Sequence, residues 1–266
     1  MKKFQVTKGN TVFKSDEMSA IRDYLQSYRF AKPIGSSSGH AIGEPFEKAV
    51  YAFLKNYQSE QFFKQYEVLN HILLKNPDIS GKDRANLLPK HCLRLLLNRG
   101  DLAMKNWQAD QPFQEKQNDT ADIVRVISPN YFGLLDVKTF NTALNGQPPN
   151  IISAYKLAEL CKILIQHQEF DSLEICYLSI DWVENNKTIE ATNCHFVDLF
   201  KIDPNQLYIN WAAAMQIQFH PSTVQQSYQG DKADWAKAYL KRFTQSAQKR
   251  MLDMQTKFIN PYVDYV

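Results

Sequence analysis

No run of apolar residues in this 266-residue chain is long enough to span a bilayer. The basic start Met1-Lys2-Lys3-Phe4 is not followed by the apolar stretch that a signal peptide needs. A cytoplasmic protein with no membrane partner is the expectation. No segment recurs at solenoid periods and no tract is of low complexity, which excludes a stacked-repeat architecture and a compositionally disordered chain. Cysteine is sparse: Cys92, Cys161, Cys176 and Cys194 lack zinc-finger or redox spacing, so reduced core thiols are expected instead of disulfides or zinc ligands. Cys194 and His195 are adjacent, which on a strand sends them to opposite faces and removes them as a ligand pair. Excess charge is lacking too. A net +3 permits nucleic-acid binding without arguing for it, and any basic surface has to be local.

What is present is ordinary globular composition, 44% hydrophobic and 22% charged, at a length that suits one large domain with embellishments over residues 1–266. Its most informative stretch is a pair of β-branched and apolar runs, residues 121–127 (ADIVRVI) and 131–138 (YFGLLDVK), separated by the turn-favouring Ser128-Pro129-Asn130. A hairpin centred on Pro129 sets residue 122 directly opposite residue 136, with Cβ atoms about 5 Å apart. Asp122 and Asp136 then face each other. Side chains alternate along a strand, so Lys138 joins Asp136 on one face while Val137 points into packing. Two carboxylates at this separation suit a hard, hydrated divalent cation that shares its sphere with phosphate oxygens. Such a cation activates water and neutralises charge on a phosphodiester. The lysine is placed to orient that water, to stabilise the transition state or, with a depressed pKa, to act as a base.

A plainer reading competes: Asp136 and Lys138 as a strand-edge ion pair, with Asp122 a solvated acid. Two observations favour the metal site. The triplet Asp136-Val137-Lys138 is the sole Asp-x-Lys or Glu-x-Lys in the chain, and it ends an otherwise apolar strand opposite another acid. Burying two like charges together is costly unless a cation is supplied.

Helical periodicity marks residues 44–57, with Pro45 at an early helical position and Phe46, Val50, Phe53 and Leu54 as the buried stripe. Glu47 lies at the edge of that stripe, either solvated or turned inward as an accessory to the metal. The polar stretch Ser36-Ser37-Ser38-Gly39-His40 before it reads as a linker or a phosphate contact. Residues 62–75 and 84–98 read as helices, the latter interrupted by Pro89. After a polar loop at 141–147, residues 151–168 form an amphipathic helix with Ile151, Tyr155, Ala158, Cys161 and Ile165 toward the sheet. Strands follow at 173–182, 187–197, 207–211 and 215–219. Ala212-Ala213-Ala214 either packs tightly or lets another surface approach the backbone. The final helix, 233–258, carries Trp235, Tyr239, Phe243, Ala247, Met251, Met254 and Phe258 on one side. Lys237, Lys241, Lys249 and Arg250 occupy its other faces, as a solvated surface or a track for phosphates.

Five blocks in order, SGHAIGEPFEKAVY (38–51), EKQNDTADI (115–123), LLDVKT (134–139), PNIISAYKLA (149–158) and LYINWAAAMQIQFH (207–220), closely resemble the HincII and HindII-like type II restriction endonucleases. The likeness runs from about residue 38 to the C-terminal helix; residues 1–37 form a variable segment that matches poorly. It implies an α/β restriction endonuclease-like fold of the PD-(D/E)xK superfamily, a mixed central sheet flanked by helices. It further implies a Mg²⁺-dependent homodimer, with Mn²⁺ as a substitute, that cuts double-stranded DNA at GTYRAC to leave blunt ends, and a cognate DNA methyltransferase as functional counterpart. Asp122, Asp136 and Lys138 match the family's catalytic positions, the two aspartates being its metal ligands. Gln147 matches a glutamine wedged into the base stack, Gln117 a residue near DNA, and Asn210, Ala212 and Ala213 the base-reading segment. Thr-Ala-Asp stands where the family has Pro-Asp, one extra residue separates the two aspartates, and the residues just before Gln147 differ. A repair or nicking nuclease of the same fold, and a catalytically inactive sequence-specific DNA-binding protein, are the alternatives.

Overall fold

The computed structural model of the chain describes residues 13–33, 39–58, 60–116, 119–144 and 147–265. Its elements in chain order are α1 (Ser15–Gln26), β1 (Arg29–Ala31), α2 (Gly39–Tyr57), β2 (Phe62–Phe63), α3 (Gln65–Leu74), α4 (His91–Leu97) and α5 (Asp101–Asn106). Then follow β3 (Ile123–Ser128), β4 (Tyr131–Asn141), β5 (Asn150–Ser153), α6 (Ala154–His167), β6 (Leu173–Asn185), β7 (Thr188–Asp198), β8 (Tyr208–Asn210), β9 (Gln216–Gln218) and α7 (Lys232–Met254). Six strands form a mixed sheet in the order β1-β7-β6-β4-β3-β2, in which only β4 and β6 run parallel. A small antiparallel sheet, β5-β9-β8, sits beside it. This is the mixed α/β architecture expected of a restriction endonuclease-like fold.

The parallel pairing follows from the connection. β4 reaches β6 through β5 and α6, and a parallel neighbour requires such a crossover. β6 is buried on both faces from Leu173 to Ile180, which is why it reads as a continuous apolar run. Side-chain alternation sorts β4 between two cores. Phe132 and Leu134 join Leu157, Cys161, Leu164, Tyr177 and Trp235 under α6 and α7. Leu135 and Val137 join Ile21, Leu25, Phe46, Val50 and Leu54 under α1 and α2. All four cysteines are buried and free.

The hairpin has the expected register: Ile123 pairs with Leu135, which sets the preceding Asp122 opposite Asp136. Its turn is tighter than the sequence suggested. Ser128 pairs with Tyr131, and a β-bulge at Ile127 absorbs the odd residue so that the end carrying Asp122 and Asp136 keeps its register.

Three other expectations are corrected. α2 begins at Gly39, placing Pro45 inside the helix instead of at its start, and taking Gly39 and His40 out of the supposed polar linker; Ser36, Ser37 and Ser38 lie outside the described residues. Residues 150–153 form a strand, because they pair with β9, and Ser153 then caps α6 by accepting the Lys156 N–H. The buried face of α6 is accordingly Ala154, Leu157, Ala158, Cys161 and Leu164, while Tyr155 is exposed. Finally, Trp235 and Tyr239 of α7 are buried as expected, but Met251, Met254 and Phe258 are exposed. The helix runs past the body, where nothing among the described residues covers it. No helix among the described residues is long and apolar enough to cross a membrane.

Candidate active site

Asp122 sits in the bend just before β3, and Asp136 and Lys138 project from the same face of β4. The Asp122 carboxylate accepts the Val137 N–H at 2.7 Å and shares a side-chain hydrogen bond with Asp136. Lys138 Nζ is 2.7 Å from Asp136 Oδ2. Val137 faces the α2 side in packing, as the alternation required. The side chains of Asp136 and Lys138 are 13% and 25% exposed, enough to meet a ligand while poorly solvated. Burial, and then the charge of Asp136, push the Asp122 carboxyl well above the ordinary carboxylate range. Burial alone would depress Lys138, but Asp136 and then Asp122 outweigh it and raise its pKa. In this state the lysine is a cation held by Asp136.

A second charged group faces the first. Lys64, at the start of α3, bridges Glu47 of α2 and Glu115, the latter at 3.0 Å. Glu47 therefore turns inward, and burial followed by the charge of Asp122 raises its pKa. Both groups line an open cleft of about 870 Å³, with Asp119, Pro149, Asn150 and Gln216 also on its wall. Asp122, Asp136, Glu47 and Glu115 oppose Lys138 and Lys64, so that the acids outnumber the cations by two in formal charge. No three-ligand His, Cys, Asp or Glu cluster exists among the described residues. The donor set still fits a hard divalent cation. Two touching carboxylates, one of them kept from ionising by burial and by the charge of the other, offer oxygen ligands, and water and phosphate oxygens complete such a sphere.

Lys64, Glu115 and Gln65 escaped the sequence reading. Gln65, 3% exposed, accepts the N–H groups of Thr120 and Ala121 at 2.8 and 3.1 Å and donates to Leu97 O at 2.9 Å. It fixes the backbone immediately before Asp122. Nothing local announces that role, because its partners lie more than thirty residues away on either count.

The expected DNA contacts separate from the acidic group. Gln147 is exposed, two residues before the cleft-lining Pro149. Gln117 lies outside the described residues. Asn210 ends β8, and its Oδ1 accepts the N–H groups of both Ala212 and Ala213 at 3.1 Å. The turn continues through Ala214 and Met215 at φ 52° and 55°. Left-handed backbone costs an alanine or methionine about 1 kcal/mol or more each, and such strain collects at functional segments. Asn210 and Ala212 line a depression of about 440 Å³ with Arg242, Lys249 and Arg250 of α7. The Arg242 Nε is buried there without a hydrogen-bond partner.

Comparison with known proteins gives the family. Residues 21–266 match the family model described as restriction endonuclease HincII. The type II restriction enzyme HindII of Haemophilus influenzae is 48% identical over 233 residues, 87% of this chain and 90% of that one. The type II restriction enzyme HincII, also of Haemophilus influenzae, is 48% identical over the same shares.

Proposed function

The chain belongs to the HincII restriction endonuclease family, and from that premise we propose that it is a type II site-specific deoxyribonuclease whose catalytic group is Asp122, Asp136 and Lys138. The observation that carries the assignment is the touching acid pair with its bound lysine at the rim of a wide polar cleft. The reaction is hydrolysis of a DNA phosphodiester: a water oxygen attacks phosphorus and one ester P–O bond breaks. A divalent metal is general to the family; Asp122 and Asp136 would hold Mg²⁺, with Mn²⁺ as substitute, which would supply charge neutralisation and a more acidic water. Lys138, kept protonated by Asp136, orients the attacking water and stabilises charge on the phosphoryl oxygens. The Val137 N–H holds the Asp122 carboxylate in place, and Glu47, held by Lys64, is an accessory at the cleft wall.

Duplex DNA is the substrate, and GTYRAC with blunt cutting is the expected site. Asn210, Ala212 and Ala213 are assigned to base reading, Gln147 to the stack beside it and Gln117 to the DNA vicinity. We take residues 1–266 as one domain, since α1 and β1, inside the variable segment 1–37, pack onto the same sheet. Pairing into a homodimer suits a palindromic site, with one cleft for each strand. It is supported by the exposed end of α7 and the turns after it, where Met251, Leu252, Phe258, Ile259, Tyr262 and Tyr265 are 56–85% exposed. A specific interface needs on the order of 1,000 Å² buried in total, and these large apolar side chains offer a contiguous stretch of chain toward it. Lys249, Arg250, Asp253, Lys257 and Asp264 mix both signs there, which suits a second copy better than a polyanion. A cognate methyltransferase and a cytoplasmic location complete the expectation.

Digestion of a sequenced plasmid in Mg²⁺, Mn²⁺ or EDTA, with all ends mapped, tests this reading. Blunt ends at GTYRAC only with metal support it. Another mapped sequence retains the mechanism and retires the hexamer. Specific binding without cutting identifies an inactive DNA-binding protein, and nicks at structured DNA a repair nuclease.

A further inference from the structure

The turn Asn210–Met215 and the segment Gln147–Asn150 are far apart in sequence, yet one buried side chain joins them. Gln218 of β9 is 5% exposed. Its Oε1 accepts from Asn210 Nδ2 at 2.9 Å, and its Nε2 donates to Asn150 Oδ1 at 2.8 Å. The small sheet explains the meeting. Asn150 pairs with Gln218, and Asn210 pairs with Gln216, so Gln218 lies two residues along on the face of Asn210.

The direction of this chain of amides is determined, not arbitrary. Backbone N–H groups can only donate, so the Ala212 and Ala213 N–H groups compel the oxygen of Asn210 to face them. Its nitrogen must then face Gln218. Gln218 in turn has to present oxygen to Asn210 and nitrogen to Asn150, which draws the Asn150 oxygen inward. What remains on Asn150 is an amino group with two donor hydrogens, on an exposed residue that lines the catalytic cleft. The conformation of the strained turn therefore sets the hydrogen-bonding sense of a group about 60 residues away in sequence.

We propose that Gln218 is a positioning residue for sequence discrimination, locking the turn at Asn210 to Asn150 and fixing Asn150 as a donor toward the DNA. This rests on the endonuclease reading above. Gln218 touches no DNA itself; it makes the two contact segments a single unit, so that displacing one misdirects the other. A half-satisfied amide at this depth would also be unfavourable, which keeps the relay closed.

Two substitutions separate the halves of the relay. Gln218→Met keeps the volume and removes both bonds. Gln218→Glu keeps an acceptor for Asn210 but has no donor for Asn150, whose amide then turns over and shows its oxygen to the cleft. Binding and cleavage are measured on duplexes carrying the site mapped for the unaltered chain and on every single-base-pair variant of it, alongside thermal melts. Gln218→Met is expected to lower discrimination on the order of tenfold. Gln218→Glu should change preference at a restricted set of base pairs, from acceptor-bearing toward donor-bearing edges. In an Asn150→Ala background, Gln218→Met should alter discrimination less than about twofold, since its route is already cut. Equal discrimination in Gln218→Met and the unaltered chain, or additive effects with Asn150→Ala, overturns this inference alone, even if the melting temperature falls. An unaltered chain that does not discriminate among duplexes overturns it together with the endonuclease reading.

Discussion

Two buried charge groups flank the same strand, three residues apart, and they are finished to different degrees. Arg125 of β3 donates to Glu17 of α1 at 2.7 Å, to Gln58 at 2.8 Å and to Gln61 at 2.9 Å, and its guanidinium lies over the Phe62 ring. The Arg125 and Glu17 side chains are 4% and 1% exposed, and each sign is answered. On the other face Asp122 and Asp136 have one lysine between two acids. The closed pair ties α1 to the hairpin. The open group keeps an excess negative charge beside a cleft of about 870 Å³. Charge balance inside the molecule marks structure; imbalance beside a cleft marks a place completed by something from outside.

The largest effect should come from the open group. Asp122→Asn or Asp136→Asn is expected to lower cleavage of mapped DNA by about 10³-fold or more, since each removes a negative charge from the proposed metal site. Melting temperature in EDTA should hold or rise, because a like-charge contact has gone. A variant that cuts at the normal rate would end the catalytic assignment.

Glu17→Gln should do the reverse. It strands a buried guanidinium, so unfolding in urea should show a loss of about 3–5 kcal/mol, while cleavage per folded molecule is retained. Replacing both partners, Glu17→Leu with Arg125→Met, should cost clearly less than the single change. If the double variant is worse than either single one, the pair supplies more than mutual neutralisation.

A smaller effect separates the groups by ligand. Mg²⁺ or Mn²⁺ at about a hundred times its dissociation constant should stabilise the unaltered chain by about 2.7 kcal/mol. Asp136→Asn should lose this response, and Glu17→Gln should keep it on a lowered baseline. Equal metal stabilisation in all three would place the cation elsewhere.

The open group was legible in sequence and the closed one was not. Alternation and a turn signal are local, so residues 121–138 specified their own register, and the pairing of Asp122 with Asp136 came with it. Glu17 and Arg125 are 108 residues apart, and no pattern near either predicts the other. The same holds for Gln65, for Lys64 between Glu47 and Glu115, and for Gln218. Residues 151–153 looked helical because their apolar spacing suits either state; pairing with β9 decides for strand. In the last helix the periodicity was right and the burial wrong, because an apolar stripe does not say whether its partner is the same molecule.

A weaker version of the comparison can be read through pH. Burial alone would raise the Glu169 carboxyl, but the Cys92 N–H and the ring and N–H of His91 outweigh it and hold it down to about 2. Its contribution is present above the unfolded value near 4.5 and is lost as pH falls from there toward about 2. Asp198 goes the other way. Burial, then the charge of Glu174, raise it to about 6 despite the Phe200 N–H. The folded state then holds a proton that the unfolded chain releases, so stability falls as pH rises from about 4 through about 6. Glu169→Gln should flatten the acid limb of a urea-midpoint profile, and Asp198→Asn should flatten the decline between those two values. A decline between pH 4 and 6 that survives Asp198→Asn would assign it to another buried acid, with Asp122 the first to test; its loss would make Asp198, like the open group, an acid insufficiently answered by its surroundings.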